Sequence, residues 1–297
     1  MEAELIKRIR SLPGTELIGD DAAVIGDRII AVDMLTEGVD FLLAETDPQW
    51  IGRKALAVNL SDIAAMGGVP RWIFVAVALP RTGALELAEQ LFAGMQPLID
   101  QYGLVLAGGD TNTWDSGLVV SITAIGCAPD KGVFRRSGGQ TGDRIFVTGK
   151  LGGSILRHQF CFEPRINEAL HLNAHYEIHS AIDISDGLTL DLHRLATESR
   201  LGAVIDESAI PIAEDAVKLS QHSGRSPLEH ALSDGEDFEL LFTVASPTAA
   251  ALLALQPFQK TSGVTLYDIG ELTTETGLRL ATADGTTKPL LPRGFEH

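Results

Sequence analysis

The chain has 297 residues, of which 45% are hydrophobic, and this length favours a large core divided between two lobes. Its formal net charge of −17 argues against binding to nucleic acid or to an anionic membrane. Two cysteines, no secretion signal and a longest apolar stretch of only Trp72–Leu79 favour a cytoplasmic protein, since a membrane-spanning helix needs roughly 20 apolar residues.

The first half of the chain predicts alternating strands and helices. Arg28–Asp33 indicates a short strand that ends in an acid. A helix is predicted from Pro48 to about Met66, because proline suits a first helical turn and the glycines after Met66 stop the helix. The other predicted elements of this half are the strand Arg71–Leu79, the helix Ala84–Tyr102, and the strands Leu104–Ala107 and Leu118–Cys127.

A Gly-rich segment, residues 135–143, separates the two halves and is interpreted as a linker or a phosphate-facing loop. We expect an α/β fold with two lobes that meet there, an N-terminal lobe of residues 1–136 and a C-terminal lobe of residues 137–297. The second half predicts the strand Arg144–Thr148, a polar helical stretch with several histidines, the helix Leu188–Ser199, and strands near Ala203–Asp206 and Phe238–Val244.

The common nucleotide-binding and catalytic motifs are absent from the sequence. The segment from Gly142 to Lys150 has the wrong spacing for a Walker loop, and neither a dinucleotide-binding glycine pattern nor a metalloprotease or serine-hydrolase motif occurs. The segment Asp183–Gly187 resembles the start of a calcium loop, but its twelfth position is Arg194 instead of glutamate.

The remaining candidates are acids in short segments, most of them next to glycine. Asp62 lies in a largely apolar predicted helix, so its carboxyl needs either an ion pair, for which Lys54 is in partial reach, or a metal ion. Asp20, Asp110 and Asp186, each taken alone, are also open to a simpler interpretation as turn or helix-cap residues. The full set is Asp20-Asp21, Asp33, Asp62, Asp110, Asp183, Asp186 and Glu236-Asp237.

Acids that converge on one cleft need cations, because two carboxylates ~4 Å apart repel each other by ~4 kcal/mol at an effective dielectric constant of ~20. Mg²⁺ prefers oxygen ligands and bridges to phosphates, so it is the natural counter-charge. Glycine-rich loops let backbone N–H groups approach phosphate oxygens, and Arg136 is suited to clamp a phosphate. Together these features predict a Mg²⁺-dependent enzyme that uses ATP.

Six segments, in this order along the chain, resemble the thiamine-monophosphate kinase family. The run Lys54–Gly67 is very specific to that family, whereas Gly108–Thr111 and Ser185–Leu188 are shared with related ATP enzymes. Those relatives include aminoimidazole ribonucleotide synthetase, selenophosphate synthetase and the hydrogenase-maturation dehydratase. The six segments are Gly19–Ala23, Lys54–Gly67, Gly108–Thr111, Arg136–Gly138, Ile182–Leu188 and Gly235–Leu240.

The resemblance implies a fold in which the N-terminal lobes, each with a mixed sheet, pair in a homodimer around a shared β-barrel, with the active cleft between the two lobes of each chain. It implies transfer of the γ-phosphoryl group of ATP to thiamine monophosphate, which gives thiamine diphosphate, with several Mg²⁺ ions. By motif position, the implied site residues are Asp21, Asp33, Asp62, Asp110, Asp183 and Asp186 for metal, Gly109, Asp110, Arg136 and Ser185 for ATP, and Asp40, Glu236 and Phe295 for the acceptor.

Some positions depart from the family pattern. Ala31 and Val32 replace hydroxyl residues that often precede the aspartate matched by Asp33, Asp40 stands where histidine is common, and Asp234 replaces a glycine.

No general base is expected, because a phosphate monoester has a second pKa of ~6 and is largely a dianion at pH 7. The alternatives are an amidine-forming ATP enzyme of the same superfamily and a non-catalytic ATP or Mg²⁺ sensor.

Overall fold

The computed structural model describes residues 2–295, with side chains from residue 4, and contains a five-stranded and a seven-stranded β-sheet. The strands are β1 (Ala23–Ile25), β2 (Arg28–Thr36), β3 (Val69–Pro80), β4 (Val105–Trp114), β5 (Val119–Cys127), β6 (Arg144–Thr148), β7 (Ser180–Asp183), β8 (Gly202–Asp206), β9 (Leu240–Val244), β10 (Leu266–Thr273), β11 (Gly277–Ala281) and β12 (Thr287–Leu290).

Nine α-helices and two short 3-10 helices (Ser154–Leu156 and Glu207–Ala209) occur in the described part of the chain. None of these helices is both long enough and apolar enough to cross a membrane. The α-helices are α1 (Glu2–Ile9), α2 (Pro48–Ala65), α3 (Ala84–Tyr102), α4 (His158–Cys161), α5 (Ile166–His175), α6 (Leu188–Glu198), α7 (Glu214–Ser223), α8 (Pro227–Ser233) and α9 (Ser246–Leu255).

The first sheet has the strand order β1-β2-β5-β3-β4, with β3 and β4 parallel and the other neighbours antiparallel. Alternate residues of β2, β3 and β5 are buried, and α2 and α3 pack on this sheet. The alternate positions carry exposed apolar side chains, among them Val32, Met34 and Phe74. The sheet is mixed, as predicted, but it is open, so one chain contains no closed barrel among its described residues.

The second sheet has the strand order β12-β11-β8-β10-β6-β9-β7, in which only β8 and β11 run parallel. One hydrophobic core includes Ile145, Leu192 and Ala231, so it lies between this sheet, α6 and α8. The strands also contribute Phe146 and Phe242 to a second core, which continues into the first lobe. The two sheets are therefore joined by packed side chains rather than by a loose linker.

Helix α2 is the element that joins the lobes. It packs against α3 and the first sheet and also against α4, α5 and β7, and most of its residues are buried. Glycines permit the close approach of α2 and α3. A Cβ atom on Gly52 would lie 2.0 Å from the carbonyl oxygen of Leu91, and one on Gly94 would lie 1.9 Å from that of Gln49.

Most of the predicted elements occur with similar bounds, notably α2, α3, β5, β6 and α6. Two predicted strand ends were wrong. The strand that begins at Arg28 continues through Asp33 to Thr36, and the strand predicted to end at Ala107 continues through Gly108-Gly109-Asp110 to Trp114. Glycine-rich sequence suggested a turn at that point, but pairing with β3 keeps the segment extended.

Candidate active site

A cavity of about 1560 Å³ is lined by residues from both halves of the chain. Asp33 of β2 and Asp62 of α2 line it from the first half, and Asp183 of β7, Glu236 and Phe295 line it from the second. A cavity of this size has room for two small ligands at once. Most of the acids singled out from the sequence face it.

Three carboxylates meet in this cavity although they come from three different segments. Asp21 precedes β1, Asp62 lies in the last turn and a half of α2, and Asp183 ends β7. One oxygen atom of each lies within 4.8 Å of an oxygen atom of the other two. Arg136 donates to Asp21 over 2.8 Å, from Nη2 to Oδ1. The charge of Asp33 acts on Asp62, and the four aspartates Asp21, Asp33, Asp62 and Asp183 form the acid cluster.

The acid cluster is electrostatically unbalanced. Burial raises the pKa values of Asp62 and Asp183 well above the usual range, and repulsion from neighbouring carboxylates adds to the shift. Burial, together with the charges of Asp21 and Asp40, raises the pKa of Asp33 to about 6. Carboxylates in this arrangement either hold protons or bind a cation, and a set of oxygen ligands suits a hard divalent ion such as Mg²⁺.

Two neighbours of Asp62 on α2 hold the other acids in place. Ser61 donates from Oγ to Oδ2 of Asp183 over 2.6 Å, which ties the first lobe to the second. The Oδ1 atom of Asn59 accepts the backbone N–H of Asp33 over 3.1 Å, and its amide donates to the carbonyl of Ala55. Neither residue was predicted from the sequence. Their position within one helical turn of Asp62 is the signal that points to them.

The loop after β7 is held in place by Asp191, a buried acid that was not predicted from the sequence. Oδ2 of Asp191 accepts the backbone N–H groups of Asp186 and Gly187, each over 3.0 Å. Arg194 pairs with Asp186 over 2.5 Å and with Asp191 over 2.7 Å. Burial, reinforced by the charge of Asp186, raises the pKa of Asp191 to about 7. This network holds Ser185 and Asp186 at the cavity, where both were predicted to act.

Gly109 and Asp110 are the predicted site residues that the fold of one chain does not bring to the cavity. Both lie in β4, which is exposed along its whole length at the edge of the first sheet. Asp110 pairs with Ala76 of β3, and β3 is separated from β2 by β5. Three steps of about 4.8 Å separate β4 from β2, which puts Asp110 about 14 Å from the strand that carries Asp33.

The three residues predicted at the acceptor end all line the cavity. Asp40 accepts the backbone N–H of Thr36 through Oδ2 over 2.7 Å, Glu236 faces the cavity from the C-terminal lobe, and the backbone N–H of Phe295 donates to the carbonyl of Asp186 over 3.0 Å. Phe295 is thus positioned by the loop that carries Asp186.

Lys54 does not pair with Asp62, so that alternative from the sequence was wrong. Eight residues separate the two along α2, a rise of about 12 Å. The ammonium of Lys54 instead forms an ion pair with Glu236.

Asp234, which stands where the family usually has glycine, has a structural explanation. Its carboxylate accepts from Arg225 over 2.9 Å and from the backbone N–H of Gly153 over 3.0 Å.

Family models match both halves of the chain. AIR synthase related protein, N-terminal domain, matches residues 19–128, and AIR synthase related protein, C-terminal domain, matches residues 156–282. The two-sheet fold and the acids between the lobes thus define a member of the AIR synthase related proteins.

Comparison with known proteins narrows this class. A thiamine-monophosphate kinase of Rhodopirellula baltica is 41% identical over 308 residues, which cover 99% of this chain and 95% of the relative. The solved structure described as AaThiL complexed with AMPPCP and TMP has a TM-score of 0.82 at 26% identity, over 100% of this chain and 96% of that one. Thiamine-monophosphate kinase from Stenotrophomonas maltophilia K279a has a TM-score of 0.77 at 32% identity and 95% coverage of each chain. The chain belongs to the thiamine-monophosphate kinase family, which confirms the resemblance in its sequence.

Proposed function

We propose that this chain phosphorylates thiamine monophosphate to thiamine diphosphate with ATP as the phosphoryl donor. The observation that carries the proposal is the meeting of Asp21, Asp62 and Asp183 in a cavity between the lobes of a chain that belongs to this family. The relative described with AMPPCP and TMP supports ATP and thiamine monophosphate as the two ligands of the cavity.

Mg²⁺ fits the acid cluster, because three carboxylate oxygens lie within 4.8 Å of one another and oxygen is the ligand that this ion prefers. Asp21, Asp62 and Asp183 would hold it, and Asp33 and Asp186, the latter already paired with Arg194, also line the cavity. When bound, Mg²⁺ supplies positive charge that offsets repulsion between the phosphates of donor and acceptor.

The side chains of the chain itself contribute binding and orientation. Arg136 and Ser185 line the cavity, and we assign them to contact with the phosphates of ATP. Asp40, Glu236 and Phe295 line the part of the cavity assigned to the acceptor. The attacking oxygen belongs to a phosphate monoester whose second pKa is about 6, so it is largely ionised at pH 7 without a catalytic base.

A homodimer completes the proposal. The exposed face of the first sheet carries Val32, Met34 and Phe74, and β4 leaves its outer edge unpaired among the described residues. Such an apolar face and open edge favour pairing with a second copy. Pairing also accounts for Gly109 and Asp110, which would then face the cavity of the partner subunit.

The test is incubation of the purified protein with Mg-ATP and thiamine monophosphate, followed by chromatography of the thiamine products and of ADP. We expect thiamine diphosphate and ADP in equal amounts, with Asp62→Asn as the inactive control. ADP release only with a different acceptor would favour the amidine-forming alternative, and ATP binding without turnover would favour a sensor. Light scattering after gel filtration measures the predicted dimer.

A further inference from the structure

Lys54 is a fully buried lysine on α2 whose ammonium is completely paired. It forms an ion pair with Oε1 of Glu236, donates to Oε1 of Gln159 over 2.7 Å and donates to the carbonyl of Asp40 over 3.1 Å. Its nitrogen also lies 5.1 Å from the centre of the Phe160 ring. Three N–H donors thus meet three acceptors, with an aromatic face beside them.

The partners of Lys54 share one property, which is that all of them line the cavity while Lys54 itself does not. They come from three separate segments: Asp40 from the loop after β2, Gln159 and Phe160 from helix α4, and Glu236 from the loop before β9. The ammonium therefore organises one side of the cavity from behind. We call this side the acceptor wall, and it consists of Asp40, Gln159, Phe160 and Glu236.

Glu236 is the charged member of the acceptor wall and is held at both its backbone and its side chain. Its backbone lies in the left-handed region at φ 55°, which a residue with a side chain adopts only where contacts enforce it. The enforcing contact is a hydrogen bond from its N–H to the carbonyl of Ser185 over 2.6 Å. Its side chain keeps 33% of its surface accessible, on the cavity side.

Without Lys54, this carboxylate would have a strong tendency to take up a proton. Burial raises the pKa of Glu236, and the adjacent ammonium opposes that shift. The ion pair therefore favours the ionised form of the Glu236 carboxylate. The result is a fixed negative charge in the cavity, held by a lysine that lies about 12 Å along α2 from Asp62 of the acid cluster.

We propose that Lys54 is a positioning residue for recognition of the acceptor: it holds Glu236 ionised and oriented so that the carboxylate faces the cationic thiazolium ring. The inference rests on the proposed function, since thiamine monophosphate carries a permanent positive charge on that ring. Phe160 offers the same ring an aromatic face, which also attracts a cation. Lys54 touches neither substrate and acts only through its partners.

The test measures discrimination between a charged and an uncharged ring. Titration calorimetry gives Kd for thiamine monophosphate and for an analogue in which a neutral ring replaces the thiazolium ring. We expect wild type to favour the charged ligand, and Lys54→Met and Glu236→Gln to reduce that preference by at least about tenfold. The KM for ATP should change by less than about twofold. A general loss of structure would instead raise both the Kd for thiamine monophosphate and the KM for ATP.

Arg165→Met is the matched control for a merely structural role. Arg165 pairs with Glu239 over 2.5 Å, both side chains are largely buried, and neither residue lines the cavity. If Lys54→Met changes the preference for the charged ring no more than Arg165→Met does, the inference is overturned. If Lys54→Met does not fold, the double variant Lys54→Met/Glu236→Gln carries the test, because it removes both charges of the ion pair.

Two failures remain distinguishable in this design. A wild-type protein that never converts thiamine monophosphate contradicts the proposed function, and the inference is overturned with it. A wild-type protein that converts thiamine monophosphate, but whose variants keep the full preference for the charged ring, contradicts the inference alone.

Discussion

The two ends of the cavity hold comparable numbers of polar groups but solve the problem of charge in opposite ways. In the acid cluster, Asp33, Asp62 and Asp183 lie together with Asp21, and the one direct cationic partner among the described residues is Arg136 on Asp21. In the acceptor wall, Glu236 has its own lysine, and every donor of that lysine is used. The chain supplies the counter-charge of Glu236 itself and leaves that of the acid cluster to a ligand.

Because of this difference, substitutions at the two ends should affect the stability and the activity of the protein differently. Removing a carboxylate from an unbalanced cluster relieves repulsion, so the free energy of unfolding of the metal-free protein should hold or rise while activity falls. Removing a charge from a balanced buried pair leaves its partner alone and unsolvated, so stability falls. The four predictions below compare the two ends on this basis.

The largest effect expected is loss of all turnover when divalent ions are removed. The acid cluster cannot accept phosphates while its own carboxylates repel them, so EDTA should reduce formation of thiamine diphosphate to the background rate. Added Mg²⁺ should restore it. Full activity in chelator would show that the acid cluster holds no metal in the reaction.

Asp62→Asn tests the same end of the cavity one residue at a time. We expect kcat to fall by about 10²–10³-fold, as for removal of a group that stabilises charge in the transition state. The free energy of unfolding in EDTA, measured with urea, should be unchanged or higher, because burial and the charges of Asp33 and Asp183 already disfavour the Asp62 carboxylate. A large loss of stability together with the loss of activity would mean that Asp62 is structural.

Lys54→Met is the counterpart at the balanced end. It leaves the Glu236 carboxylate without its ammonium, so we expect the protein to lose about 3–5 kcal/mol of unfolding free energy. The double variant Lys54→Met/Glu236→Gln should recover part of that loss, since it removes both charges. Urea unfolding of the three proteins measures the difference. Equal stability of wild type and Lys54→Met would refute the contrast between the two ends.

The sequence predicted the helices around these ends well because their signals are local. Pro48 and the glycines after Met66 bound α2, and apolar spacing defines α3 from Ala84 to Tyr102. The extended course of β4 was missed, because its glycines carry no strand signal and only pairing with β3 makes them a strand. Local signals also gave no bounds for β10, β11 and β12.

The candidate site, like the fold, was predictable from the sequence only in part. The acids themselves were identifiable as carboxylates beside glycine or in an apolar helix, and their roles followed from family resemblance. Their convergence was not derivable from spacing, since Asp21, Asp62 and Asp183 meet through tertiary packing of α2 between two sheets. Ser61, Asn59 and Asp191 were missed because they act on neighbouring side chains and backbone. Ser61 and Asn59 had one sequence signal, their nearness to Asp62 along α2, and Asp191 had none.

The smallest effect expected is a pH dependence of stabilisation by Mg²⁺, and it follows from Asp33. The pKa of this carboxyl is raised from 3.8 to about 6, so its protonated form favours the folded state. In the metal-free protein, the stability that this proton gives is present below pH 4 and is lost as pH rises through 6. Mg²⁺ must displace the proton at pH 5 but finds the carboxylate already ionised at pH 7.5.

The gain in Tm on saturation with Mg²⁺ should therefore be greater at pH 7.5 than at pH 5, by at least about 3 °C. Asp33→Asn serves as the control, because it removes the titrating group and should reduce the difference between the two pH values. The acceptor wall provides the internal comparison. Lys54→Met alters the balanced end and should keep the pH dependence of the Mg²⁺ effect, even though its Tm is lower throughout. A gain in Tm that is independent of pH in wild type would mean that Asp33 stays ionised in the metal-free protein and that Arg136 balances the acid cluster more fully than its single partner suggests.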